Sequence, residues 1–128
     1  FFDMMKELVQ TTGMGADPYI KMRENMHRGV SWWRPELTSQ EDLNDIAAAT
    51  QAVFEYCVVN LAAWTKVYTG CKHLALAGGG ALNRDAVDLL REKWDTVHVP
   101  QNPGDPGSCV GAVLAKTKQR IILKGQWH

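Results

Sequence analysis

A short apolar run that ends in three consecutive glycines and passes directly into a helical pattern admits few folds. Residues 73–77, HLALA, lie between Gly70 and Gly78-Gly79-Gly80 and read as a buried strand. From Ala81 to Trp94, Leu82, Ala86, Leu89 and Leu90 recur at helical spacing, with Asp85, Asp88, Arg91 and Glu92 on the other side. Thr96 to Val99 reads as a second strand closed by Pro100. The loop QNPGDPGS (101–108) follows it, and Cys109 to Lys118 reads as a further helix in which Gly111 allows close packing. An order of α-β-α-β-α makes the second strand parallel to the first through a right-handed crossover, so the chain is of the α/β class.

Upstream, the most regular pattern in the chain predicts a long helix over about 41–68. Leu43, Ile46, Ala47, Thr50, Val53, Phe54, Cys57, Val58, Leu61 and Ala62 recur at three and four, Thr38 and Ser39 provide overlapping capping boxes, and Gly70 is the stop. Cys57 sits on the apolar face, as a core thiol does. Before it, residues 1–10 predict a short helix that ends near Gly13 and Gly15, and Asp17-Pro18 marks a turn. Ile20 and Met22 lie on no clean face. Trp32-Trp33 stands beside Arg34, which precedes Pro35 and is therefore expected in a loop; the pair reads as packing residues or an interaction patch.

Composition narrows the function. Fourteen basic against 14 acidic residues leave no net charge, which argues against a nucleic-acid module that works by neutralising phosphates. Three Cys, an odd number, suit a reducing, cytoplasmic setting. No apolar run is expected to reach the ~18–20 residues of a membrane span, and no signal segment opens the chain.

Both glycine-rich loops fall at the carboxyl ends of the two parallel strands, where open α/β sheets bind ligands, so they are expected to face one cleft. Three glycines let a backbone approach a ligand with no Cβ in the way, and the N–H groups that open the next helix favour an anion such as phosphate. A tight βα turn with no ligand is the alternative. The P-loop motif is not met, because no Lys-Ser or Lys-Thr follows the required glycine. The dinucleotide fingerprint also fails: Asn83 stands where Gly or Ala is wanted, and the second strand ends Val99-Pro100-Gln101 with no acid for a ribose. Asp105 is the one acid of its loop and suits either a cation or polar ligand contact, or the start of the next helix.

The sequences LALAGGGALNRDAVDLL (74–90), TVHVP (96–100) and NPGDPGSCVGAVLA (102–115) together resemble the C-terminal part of the catalytic ATPase-fold domain in carbamoyltransferases of the nodulation and antibiotic-biosynthesis type. The helix DIAAATQAVFEYCVVNLA (45–62) is similar to the one that precedes the first motif, and the resemblance covers about residues 41–118. It implies an α/β fold that is part of an actin-, hexokinase- and Hsp70-like (ribonuclease H-like) domain, with short parallel strands and flanking helices. Residues 1–40 are then a helical or loop extension, 41–118 the ATPase-like part and 119–128 a tail. It further implies ATP as the nucleotide, met by Gly78, Gly79, Gly80, Asn83, Gly104 and Gly107. Asp105 corresponds to a metal-binding aspartate, for iron or magnesium, that works with a H-x-x-x-H pair.

His27, His73, His98 and His128 contain no such pair, so the metal site is expected to be shared with residues outside the chain. Carbamoyl phosphate and a hydroxyl acceptor would be the substrates of the full-length enzyme, through a carbamoyl-adenylate. A sugar-kinase-like phosphotransferase half and a non-catalytic nucleotide-binding or interaction module are the alternatives. Threonylcarbamoyl-transferring enzymes fit less well, because their loop reads D-N-G where this chain has Gly104-Asp105-Pro106-Gly107. The opening Phe1-Phe2-Asp3, without Met, and only two strands lead us to expect a piece of a larger enzyme, inactive alone and completed by its missing half or by self-association.

Overall fold

The computed structural model describes residues 2–11 and 20–120. The chain divides into two compact units, Phe1–Gly70 and Cys71–His128, a boundary that falls within the 41–118 stretch. The turn expected at Asp17-Pro18 and the tail from residue 121 lie outside the described residues.

In the first unit α1 (Phe2–Leu8) stops earlier than its apolar spacing predicts, because the chain turns at Val9 into a hairpin. β1 (Val9–Thr11) pairs antiparallel with β2 (Ile20–Met22), with Val9 opposite Met22 and Thr11 opposite Ile20. The Arg23 N–H donates to the Leu8 carbonyl at 2.8 Å, so the hairpin takes up an acceptor that the end of α1 leaves unpaired. A 3-10 turn (Met26–Arg28) leads to α2 (Val30–Trp33), a single helical turn that carries both tryptophans. Arg34 leaves that helix with extended φ, as its place before proline predicts. Its guanidinium lies 5.3 Å from the Trp33 ring centroid and near Glu7 and Glu36, at 3.4 and 3.8 Å. Trp33 packs against the core, whereas Trp32 is 44% exposed under Arg28.

The long helix α3 (Gln40–Thr69) ends where its caps dictate. The Ser39 hydroxyl accepts from the Asp42 N–H at 3.1 Å, and Gly70 takes a left-handed φ of 67° while its N–H donates to the Lys66 carbonyl. Ile46, Ala49, Val53 and Cys57 are buried with Met5 and Leu8 of α1, and Val9, Val30, Trp33 and Leu37 close the cluster. By length and composition α3 could cross a membrane, which corrects the expectation that no segment reaches that size. Burial of one stripe of α3 against α1 is also what a core helix shows.

The second unit is built on two parallel strands, β3 (His73–Ala75) and β4 (Thr96–His98), paired His73 to Thr96, Leu74 to Val97 and Ala75 to His98. The parallel order agrees with the crossover argument, and His73 Nδ1 lies 2.8 Å from Thr96 Oγ1 across the pair. Between the strands, a 3-10 turn (Gly79–Leu82) and α4 (Arg84–Arg91) replace the single helix expected from Ala81 to Trp94. Asn83 divides them: its side-chain oxygen accepts from the Ala86 N–H at 3.1 Å and starts α4 anew. Ala81, Ala86, Val87, Leu90 and Trp94 are the buried hydrophobic residues among those described in this unit. The last helix, α5 (Asp105–Thr117), begins four residues before its predicted start and buries no residue. Gly111 opens onto free space, so the close packing expected there is not found.

Two outcomes follow from this packing. Cys71 and Cys109 are exposed and Cys57 is buried, so a thiol reagent under native conditions should modify two cysteines quickly and the third only with unfolding, as counted by mass. Burial also raises the Cys57 thiol above its ordinary pKa. The unfolded chain therefore releases that proton first, and stability should be full below the ordinary thiol range and decline as pH rises through it. Denaturant midpoints measured across that range, with Cys57→Ala as the control that removes the decline, check the sign.

Candidate functional site

Parallel pairing makes the two glycine-rich loops neighbours, because both leave the same end of the β3–β4 pair. The ladder continues past the strands: the Leu76 N–H donates to the His98 carbonyl at 2.9 Å, and the Gly78 N–H to the Pro103 carbonyl at 2.7 Å. The two loops, expected to face one cleft, are thus joined by one backbone hydrogen bond. From sequence Pro103 was read only as part of its loop. Its carbonyl role leaves no side-chain signal to read.

Each glycine has its own reason to be there. Gly78 holds φ at 97°, a conformation a side chain strains. Space around Gly79 is open to 4 Å, so nothing within the described chain requires the absence of a side chain there. Gly79 and Gly80 begin the 3-10 turn, so their N–H groups have no acceptor within it, and both residues are exposed. An anion at this turn would meet unhindered backbone donors.

The second loop is arranged differently. A Cβ on Gly107 would overlap the Asn102 backbone carbonyl, so this glycine is required by the packing of its own loop. The Gly104 carbonyl accepts from the N–H groups of Gly107 and Ser108, at 3.0 and 3.4 Å, which closes the first turn of α5. Gly104 is buried, and a Cβ there would lie 3.7 Å from Leu82 Cδ1 of the other loop. Of the residues predicted to touch a nucleotide, Gly78, Gly79 and Gly80 are presented to solvent. Asn83 caps α4, while Gly104 and Gly107 shape the second loop.

Asp105 is exposed in the first turn of α5, where a carboxylate offsets the positive end of the helix dipole. It has no ligating company: among the described residues no group of three or more His, Cys, Asp or Glu could hold a metal ion. Arg84, the first residue of α4, was not identified from sequence. With Ala81, Val87, Asp88, Arg91 and Val99 it lines a concavity of about 200 Å³ beside the 3-10 turn, where Asp88 and Arg91 pair at 2.7 Å. A separate apolar cavity of about 260 Å³ lies in the first unit, walled by Met5, Leu8, Val30, Trp32, Trp33 and Ile46 among others.

Residues 21–114 match the family described as the carbamoyltransferase N-terminus. The chain belongs to this carbamoyltransferase family. The match spans β2 to α5 and includes both loops. It supports the carbamoyltransferase reading over the sugar-kinase-like one. The family is defined by the enzyme's N-terminus, which is at odds with placing the chain in a C-terminal part, and that placement is not confirmed. An uncharacterised protein of Synechocystis sp. is 39% identical over 89 residues, which cover 68% of this chain and 14% of that protein. The chain thus spans about a seventh of the length of this relative. No solved structure matches the chain.

The geometry separates two kinds of glycine in the carbamoyltransferase loops. Gly107→Ala should destabilise the second unit by about 1–3 kcal/mol, the range for overpacking a filled site. Gly79→Ala should leave the denaturation midpoint close to that of the parent chain. Equal losses for the two would refute the distinction.

Proposed function

We propose that the loops at 76–83 and 99–108 form one phosphate-facing wall of the ATP site of a carbamoyltransferase. The observation that carries this reading is the hydrogen bond from the Gly78 N–H to the Pro103 carbonyl, which holds two glycine-rich loops together at the carboxyl ends of parallel strands. Gly79 and Gly80 would offer N–H groups to phosphate oxygens. Gly78 provides the turn that exposes them, and Asn83 fixes the start of α4 behind them. Gly104 and Gly107 hold the second loop in register. The Asp105 carboxylate repels an anion from the start of α5, so in this reading phosphate lies nearer the first loop.

In the full enzyme water would free phosphate from carbamoyl phosphate, and the resulting carbamate oxygen would displace pyrophosphate from the α-phosphorus of ATP to give a carbamoyl-adenylate. The acceptor's hydroxyl oxygen would then attack the carbamoyl carbon, losing its proton as AMP departs. This chain's part is to bind and orient phosphate. The described residues do not by themselves fit a bound metal, since Asp105 stands alone. No step is therefore assigned to one here. Asp105 would be at most a single ligand in a site completed by residues beyond this chain, where three protein ligands are usual for a catalytic metal.

Titration of MgATP into isotope-labelled chain should move the amide resonances of Gly78, Gly79 and Gly80 and leave those of β1 and β2 in place. Gly79→Ala should weaken that response at least tenfold with the fold intact. Absence of any shift in residues 78–83 at millimolar ATP would sink the nucleotide reading. In the full-length protein, carbamoyl phosphate consumption dependent on ATP and an alcohol is expected, and a phosphorylated acceptor would instead favour a kinase.

A further inference from the structure

Backbone N–H groups are neutral, whereas a phosphate brings negative charge that a site drawing it out of water must offset. A wall of glycine N–H groups therefore calls for a cation at the loop end of the second unit. Position removes all but one of that unit's described Lys and Arg residues. Lys72 precedes β3 and Lys93 follows α4; the Asp95 N–H donates to the Lys72 carbonyl at 3.1 Å, which puts this region at the end of the strands away from the loops. Lys116, Lys118 and Arg120 lie in or beyond the last turn of α5, about 16 Å along the helix from its start. Arg91 is committed to Asp88 at 2.7 Å. Arg84 remains, one residue past the Asn83 cap that closes the glycine turn.

The surroundings of Arg84 give it no structural employment. It is exposed, and its guanidinium has no ion-pair or hydrogen-bond partner among the described residues. Asp88, one turn along α4, is the carboxylate it would take, but that group is held by Arg91. Arg84 also occupies the first turn of α4, where the positive end of the helix dipole disfavours a cation and favours an acid such as its neighbour Asp85. Helix stability thus supplies no reason for a guanidinium there, and the negative charge of a ligand does. The concavity of about 200 Å³ that Arg84 lines has Ala81 of the first loop and Val99 of the second in its wall. Two guanidiniums against one carboxylate leave that wall net positive, and the apolar Ala81, Val87 and Val99 beside them strengthen its field.

We infer that Arg84 binds the phosphate group that the two loops face, its planar fork taking oxygens of the same group that accepts from Gly79 and Gly80. The inference rests on the phosphate reading of those loops. It adds the side chain that carries the charge and sets the preference for an anion. ATP and carbamoyl phosphate both bring such a group, and separate titrations distinguish them.

Calorimetric titration of MgATP, and separately of carbamoyl phosphate, into the parent chain, Arg84→Gln and Lys116→Gln tests it. Arg84→Gln should weaken whichever ligand the parent binds by about tenfold, the scale of one charge-assisted hydrogen-bonded contact, and what binding is left should fall less steeply with salt. Arg84→Lys should recover part of the loss by keeping the charge without the fork. Lys116→Gln removes the same charge from the far end of α5 and should leave binding unchanged. The denaturation midpoint of Arg84→Gln should hold or rise, because a cation leaves the positive end of α4. A parent chain that binds neither ligand refutes the phosphate wall and this inference together. A parent that binds, with Arg84→Gln binding equally well, overturns this inference alone. Equal losses for the two Gln variants overturn it too, as does a loss that comes with a lowered midpoint.

Discussion

The second unit depends on where its parallel ladder stops. Two strands of three residues give a short pairing, and the bonds from Leu76 to His98 and from Gly78 to Pro103 extend it beyond the strands into the loops. Once the Gly78 N–H is committed to Pro103, the chain must turn at Gly78 with positive φ, and the Ala81 N–H returns to the Gly78 carbonyl to begin the 3-10 turn. Asn83 then restarts the chain as α4, which buries Ala86, Val87 and Leu90. One backbone bond therefore sets the path of the first loop, the start of the following helix and the spacing of the second loop. A site made in this way needs little side-chain chemistry of its own, which suits a task of holding phosphate by backbone donors.

Much of this was legible in the residues because caps and glycines act locally. Ser39 and Gly70 bound α3 within a residue or two of the predicted ends, and the apolar runs at 73–75 and 96–98 became parallel strands. The features that were not legible depend on partners distant in sequence. Val9 to Thr11 looked like the end of a helix because their strand pairing requires Ile20 to Met22, a segment with no apolar face of its own. Trp32 and Trp33 form a helical turn, for which no signal was read, and it stops at Arg34 because the proline restricts the residue before it. Helix α5 starts early because Pro106 in its first turn lacks an N–H that would have had no partner there, so the helix begins inside the stretch expected as a loop.

The candidate site shows the same division. Glycines at 78–80 pointed to a backbone-lined turn, and their exposure agrees with that. Gly104 and Gly107 carry the same residue type for a different reason, a close approach of Asn102 and Leu82 that no spacing rule encodes. Asn83 combined both cases, since a residue quoted for the ligand proved to bond the backbone of its own helix. The likeness in sequence locates the loops. Only the packing separates residues that face a ligand from those that shape the wall behind it.

Helix α5 places a limit on how that wall can work. It is fixed at one end, through the Gly104 carbonyl and the seat of Gly107 on Asn102, while none of its residues is buried and Val113 is 61% exposed. A helix of this length has little stability of its own, and most helices derive theirs from a covered apolar face. With the face open, fraying of α5 competes directly with the order of the loop at its start. The second loop would then be the less rigid half of the site in this chain, and the first loop, anchored by α4 and its buried Leu90, the more rigid. Covering the exposed Val113 and the half-buried Val110 and Leu114 of α5 would therefore stiffen the second loop without touching it.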